Sequence, residues 1–158
     1  IQAREKKMGL APKKLVNHGY ARLDALVKEA REHSNQSDDK DSSLNILLAP
    51  SWGIGSFIER DCGKSILDHL LKTPHQITLR FHPMTSRRFP KLKAQLEAQF
   101  SWANDFVVET DVRSRESLLK ADLLISDWSG TSFEFAFAFE KPVIFVDTPP
   151  KENNPNWK

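Results

Sequence analysis

Residues 121–147 read A-D-L-L-I-S-D-W-S-G-T-S-F-E-F-A-F-A-F-E-K-P-V-I-F-V-D, and this stretch decides the fold. Leu123, Leu124 and Ile125 form a short apolar run without alternation, the pattern of a strand buried on both faces. Residues 126–132 are rich in hydroxyls and contain Gly130, and residues 143–146 make a second apolar run. The order is strand, small-residue turn, helix, strand. A turn of Ser, Gly and Thr between a buried strand and a helix start is where α/β proteins bind phosphates. Backbone N–H groups point outward there, and the helix dipole favours an anion.

The middle of the stretch admits two readings. Phe133, Phe135, Phe137 and Phe139 alternate, which alone suggests a strand. Three features favour a helix. Thr131 and Glu134 stand at capping-box spacing before an apolar run. Ala136 and Ala138 keep the other face apolar, so the alternation is not apolar against polar. Two parallel flanking strands also need a crossover of about a dozen residues. A helix packed against the sheet is expected.

Working outward, 158 residues suit one domain with a real core. The formal net charge of +2 gives no case for nucleic acid. One cysteine, Cys62, excludes an intrachain disulfide framework and fits a reducing compartment. No apolar run approaches the ~20 residues that span a bilayer, and no signal peptide is present. The chain starts at Ile1 and ends in a polar Pro/Asn tail, which reads as a piece of a longer protein.

Residues 1–14 carry Arg4, Lys6, Lys7, Lys13 and Lys14, read as a solvated terminus or as a patch for an anionic membrane surface. Residues 14–17 suggest a short strand. Across residues 20–33, Leu23, Leu26, Val27 and Ala30 fall at helical spacing and predict an amphipathic helix. Residues 1–33 are taken as the end of a preceding domain or a connecting segment. Residues 34–43 hold a polar run with no apolar member and are expected to be a flexible linker. Residues 44–147 are the main domain and 148–158 an irregular tail.

The main domain opens with a buried strand at residues 45–50. A loop with Ser51, Trp52, Gly53 and Gly55 follows, then a helix at about residues 61–72. The Gly53-x-Gly55 pair lacks the third glycine of a dinucleotide fingerprint, because Ile58 stands there. Gly63-Lys64-Ser65 lacks the first glycine of a P-loop at the same position, so both motifs are rejected. The loop is either an ordinary strand–helix turn or a place where glycines let a ligand approach the backbone.

Residues 76–81 read as the second strand, ending in Arg80-Phe81-His82-Pro83. A helix is expected at about residues 90–99. His82 stands at a strand's carboxyl end, where open α/β sheets place ligands. It could donate to a phosphate or offset a leaving group's charge, with a structural role as the competing reading. Arg80, Arg87 and Arg88 add electrostatic support for an anionic ligand; a solvated basic face is the alternative. A strand at residues 105–108 and a short helix at 115–120 complete a βαβαβαβαβ order. That order predicts a Rossmann-like, doubly wound parallel sheet of about five strands with helices on both faces.

The set I-L-L-A-P-S-W-G, L-R-F-H-P, A-D-L-L-I-S-D-W-S-G-T-S-F-E and K-P-V-I-F-V-D resembles the CDP-glycerol glycerophosphotransferases of teichoic-acid synthesis. H-G-Y-A-R-L-D-A-L resembles the G-x-P-R-x-D-x-L segment of such proteins, with Ala21 in place of Pro. The resemblance covers about residues 15–147. It implies one half of a GT-B architecture, the carboxyl-terminal donor-nucleotide domain, with the active site facing an amino-terminal domain. It also implies a CDP- or UDP-linked donor as substrate, no separate cofactor, and a polymer or lipid-linked acceptor. A cytoplasmic location follows, at or near the inner face of the membrane. By the same resemblance, Ser129, Gly130 and Thr131 meet the donor diphosphate with Ser132 nearby, and His82 contacts the phosphates or the leaving group. Trp52 and Gly53 lie beside the cleft.

A weaker resemblance, of Ser129-Gly130 to Glu134, is to UDP-N-acetylglucosamine 2-epimerase, and it implies a ribose contact for Glu134. Here the family's Ser-Ser is Ser129-Gly130 and its Asp is Glu134, departures that bear on the donor. No His, Cys, Asp or Glu cluster stands at metal-ligand spacing, so a metal-free site is expected. Trp52 and Trp128 could stack on a base or fill the sheet edge; packing is favoured for Trp128, which directly follows a buried strand. A sugar-nucleotide epimerase domain and a flavodoxin-like interaction domain are the competing functions. The latter would need acids after the first strand, where Pro50, Ser51, Trp52 and Gly53 stand instead.

Overall fold

The computed structural model describes residues 2–11, 13–34, 43–53, 55–111 and 113–149. The main domain carries five strands, β1 (Asn45–Leu48), β2 (Gln76–Arg80), β3 (Phe106–Glu109), β4 (Leu123–Ser126) and β5 (Val143–Phe145). The helices are α1 (Gln2–Lys7), α2 (Ala21–Ser34), α3 (Asp61–Leu70), α4 (Pro83–Arg88), α5 (Leu92–Gln99), α6 (Glu116–Lys120) and α7 (Gly130–Phe139). A 3₁₀ turn, Phe57–Glu59, precedes α3. No helix among the described residues is long and apolar enough to cross a membrane.

The strands form one parallel sheet in the order β3-β2-β1-β4-β5. The apolar runs dictate this arrangement, because parallel strands buried on both faces leave no side for polar residues. Ile46, Leu48, Ile77, Leu79, Phe81 and Ile125 turn to one face, where Phe57, Leu67, Leu96 and Phe100 cover them. Leu47, Ala49 and Leu124 turn to the other face, under Leu118, Ala121 and Phe135. The chain builds β1, β2 and β3 outward in one direction, then returns past β1 to add β4 and β5. The order therefore reverses between β1 and β4, and the crevice at their carboxyl ends is the switch point.

The phenylalanine alternation resolves as helix. Positions two apart on a helix lie on opposite sides, so the four rings sort into two pairs four residues apart. Phe135 and Phe139 face inward with ring centroids 5.1 Å apart, and Phe135 is fully buried. Phe133 and Phe137 stack outside at 6.5 Å, each more than half exposed. The helix packs against the sheet by one pair only.

Several expectations are corrected. Residues 14–17 form no strand; Leu15 and Val16 are exposed and pair with nothing in the sheet. α4 occupies residues that carried no helix expectation, and α5 begins at Leu92 rather than Pro90. The cap of α7 is Ser129, not Thr131: the Ser129 side chain accepts from the Thr131 amide at 3.2 Å. Trp128 does not pack; it is 62% exposed. The amphipathic helix expected at residues 20–33 forms as α2, with Leu26 buried, and lies across α7 and α6. Arg115 beside α6 pairs with Glu29 of α2. The expected linker falls mostly at residues 35–42, and the tail mostly at 150–158, both outside the described residues.

Candidate functional site

Four strands deliver their following loops to one rim. After β1, Ala49, Pro50 and Ser51 continue buried into the Trp52-Gly53 turn, where Gly53 has φ 98°, a value that favours glycine. After β4 comes Asp127, which is 1% exposed. Its carboxylate joins the two loops. Oδ1 accepts from the Ser51 amide at 2.7 Å and Oδ2 from the Phe57 amide at 3.3 Å. Ser126 Oγ donates to Ala49 O at 2.6 Å, a third tie across the same seam.

The loop after β2 is bound into this rim as well. His82 caps α4, with Nδ1 accepting from the Met84 amide at 3.1 Å. In the neutral ring that fixes the proton on Nε2. The imidazole stacks on Trp52, ring centroids 5.8 Å apart and 27° between planes. Glu59 Oε1 accepts from the Gly53 amide at 3.0 Å and from Thr85 Oγ1 at 3.1 Å, linking the β1 loop to α4. On the other side, Trp128 Nε1 donates to Thr148 O at 2.7 Å, which fastens the β4 loop to the segment after β5.

α7 begins at the centre of the rim. Ser132 is fully buried, its amide bonded to Ser129 O at 3.2 Å and its Oγ to Asp127 O at 3.4 Å, so it closes the turn from inside. Ser129 Oγ accepts from Thr131 and keeps its own proton to donate outward. A Cβ placed on Gly130 would meet nothing within 4 Å, so space lies open beside the first turn. Of the first-turn amides, those of Thr131 and Ser132 are taken by Ser129, which leaves the Gly130 amide, and the helix start carries positive partial charge. A cleft of about 530 Å³ adjoins them, lined by Asp127, Trp128, Ser129, Gly130, Phe133, Phe145, Val146 and Asp147.

The expected residues thus divide. Trp52, Gly53, His82, Ser129, Gly130 and Thr131 share the rim. Arg80 leaves it: burial lowers its pKa, and its guanidinium donates to Ser117 Oγ at 3.1 Å and Ser114 O at 2.8 Å beside α6. Arg87 and Arg88 stand exposed in the last turn of α4, roughly 8 Å of helix from His82. Glu134 is buried and makes no capping bond. Its Oε1 accepts from Tyr20 OH at 2.5 Å and Arg22 Nε at 2.7 Å. Among the described residues no group of three or more His, Cys, Asp or Glu is placed to hold a metal ion.

Sequence reasoning missed four contributors. Asp127 looked like one more polar residue of a turn, though an acid directly after a buried strand is a signal for a loop anchor. Glu59 gave no sequence signal. Tyr20 and Arg22 lie in a segment matched to a family motif, but their partner is 114 and 112 residues away. The rejected P-loop glycine, Gly63, has a packing role: a Cβ there would stand 2.5 Å from Phe57 O and 2.8 Å from Ile58 Cα.

Comparison with known proteins identifies the family. The family model for CDP-glycerol:poly(glycerophosphate) glycerophosphotransferase matches residues 2–149. A teichoic acid glycerol-phosphate primase of Bacillus spizizenii is 32% identical over 123 residues, 74% of this chain and 30% of that protein. A teichoic acid poly(glycerol phosphate) polymerase of Bacillus subtilis is 29% identical over 146 residues, 84% of this chain and 18% of that one. A solved variant of the wall teichoic acid polymerase TagF superposes with a TM-score of 0.48 at 22% identity, covering 82% of this chain and 33% of that chain. The chain spans a third or less of the length of these relatives. It belongs to the CDP-glycerol:poly(glycerophosphate) glycerophosphotransferase family.

Proposed function

We propose that this chain carries the donor-nucleotide site of a transferase that moves glycerophosphate from a CDP-linked donor to a polymer acceptor. The carrying observation is the junction of the β1 and β4 loops at the first turn of α7. There Ser129 caps the helix, Gly130 leaves open space, and the Trp52–His82 pair stands on the same rim. The relatives' activities, a glycerol-phosphate primase and a poly(glycerol phosphate) polymerase, support the class of reaction.

In this reading the Gly130 amide, the dipole of α7 and the Ser129 hydroxyl hold the diphosphate, and His82 Nε2–H donates to the phosphate oxygen that gains charge as the bond to the leaving nucleotide breaks. The chain's role is positioning and charge stabilisation. A base for the acceptor hydroxyl comes from the remainder of the protein, in an amino-terminal domain facing this rim. The work then takes place at the cytoplasmic face of the membrane.

Titration of the chain with CDP, UDP, ADP and GDP, followed by calorimetry or NMR, tests the reading. The expected result is saturable CDP binding in the micromolar to millimolar range, roughly −8 to −4 kcal/mol. Ser129→Ala and His82→Ala should both weaken it. A folded chain that ignores every nucleotide at millimolar concentration overturns the reading.

A further inference from the structure

Glu134 stands one turn into α7, beside the turn where the diphosphate is placed, and it is buried. Helical side chains lean toward the helix N-terminus, and residues four apart share a face. The Glu134 carboxylate therefore lies over the first turn, on the side of Gly130. A lone carboxylate at that place would repel a phosphate. Here it is matched by a cation and a hydroxyl on one oxygen: Arg22 Nε at 2.7 Å and Tyr20 OH at 2.5 Å.

The donors stand just before and within the first turn of α2, far away in sequence, and residues 13–19 before them are exposed. Glu134 spends only the Nε edge of the guanidinium. The two terminal amines lie beyond it, and 54% of the Arg22 side chain is in solvent. The guanidinium also stands within electrostatic range of Arg80, whose pKa is lowered first by burial and further by the Arg22 charge. Arg22 is thus held beside Glu134, one turn into α7, with its charge half in solvent.

We propose that Arg22 is a ligand of the donor's phosphates, and that Glu134 and Tyr20 are positioning residues that hold it beside the first turn of α7. The proposal rests on the donor-site reading above and extends that site to the segment before the sheet. Glu134 would then serve the phosphates through Arg22 rather than hold the ribose.

The test is titration of the 158-residue chain with CDP and, separately, with cytidine, which has the base and ribose but no phosphate. Arg22→Ala should weaken CDP binding about tenfold, the loss of one charge-assisted contact, and leave cytidine binding unchanged. Arg22→Lys should recover part of the loss, because a point charge replaces a planar fork. Glu134→Gln should give an intermediate loss for CDP alone. Urea midpoints taken in parallel separate a binding effect from a folding effect, and Arg22→Gln replaces the alanine variant should that one unfold. CDP binding that Arg22→Ala leaves intact, or an equal loss for CDP and cytidine, overturns this proposal alone. Failure of the unsubstituted chain to bind CDP overturns the donor-site reading, and this inference with it.

Discussion

Replacing Asp127 should loosen the rim at its most buried joint. Its two oxygens satisfy the amides of Ser51 and Phe57, at 2.7 and 3.3 Å, inside the seam between the β1 and β4 loops. A buried amide left without a partner costs roughly 1–3 kcal/mol. Asp127→Ala orphans both and should cost about 4 kcal/mol. Asp127→Asn keeps an oxygen for the shorter bond to Ser51 and turns an NH₂ toward Phe57, so it should cost about half as much. Against a total stability of about 5–15 kcal/mol, both losses are large. With an m-value near 2 kcal/mol per molar urea, the unfolding midpoint should fall by about 2 M for Ala and about 1 M for Asn. Urea titration followed by circular dichroism reads both. A midpoint unchanged in Asp127→Asn, or the same in the two variants, would refute the assignment of one amide to each oxygen.

Phe135→Ala empties a fully buried place against the sheet and should cost about 3–5 kcal/mol, whereas Phe137→Ala, 65% exposed on the opposite side of the helix, should stay within about 0.5 kcal/mol; thermal or urea unfolding of the pair checks this. Gly63→Ala drives a methyl into the 3₁₀ turn and should cost about 1–3 kcal/mol, while Gly130→Ala, facing open space, should leave the midpoint near wild type. Tyr20 is the only tyrosine in the sequence, so tyrosinate absorbance reports it alone. Its hydrogen bond to Glu134 raises its pKa above the ordinary value near 10. The bond is thus intact below that pH and lost as pH rises through the raised value. Glu134→Gln should bring the absorbance midpoint back down, and an identical midpoint in both proteins would show that the bond is absent in solution.

The central strands were legible because both-face burial leaves an apolar run that little else produces, as at Leu123, Leu124 and Ile125. The small-residue turn at the start of α7 was legible for a similar reason: Ser129, Gly130 and Thr131 are local chemistry. What escaped was either weakly signalled or non-local. α4 starts at a proline behind His82, and histidine is not among the usual capping residues, so six residues with no apolar stripe gave no helix signal. Leu15 and Val16 looked like strand but had no edge to join. Thr131 and Glu134 fit a capping box by spacing, yet Ser129 is two residues nearer the strand and takes the cap. Glu134 is then claimed by Tyr20 and Arg22 through contacts that no local window contains. Trp128 follows a buried strand, but Asp127 is the last residue held inside the seam and the Trp128 side chain stands outside it.

The reversal of strand order between β1 and β4 also bears on how the chain folds. β1 meets β2 across about 31 residues but meets β4 across 77, as the bonds Leu44 to His75 and Asn45 to Asp122 mark. Closing the longer loop costs roughly 0.8 kcal/mol more by the logarithmic dependence on length. Pairings so distant in sequence slow folding, because their entropy is lost before their contacts form. The half-sheet of β1, β2 and β3 can assemble from nearer neighbours, but the crevice cannot exist until the chain has returned past it. A nucleotide bound there would draw the whole folding equilibrium toward the native state, and its binding would serve as a probe of complete folding rather than of local structure.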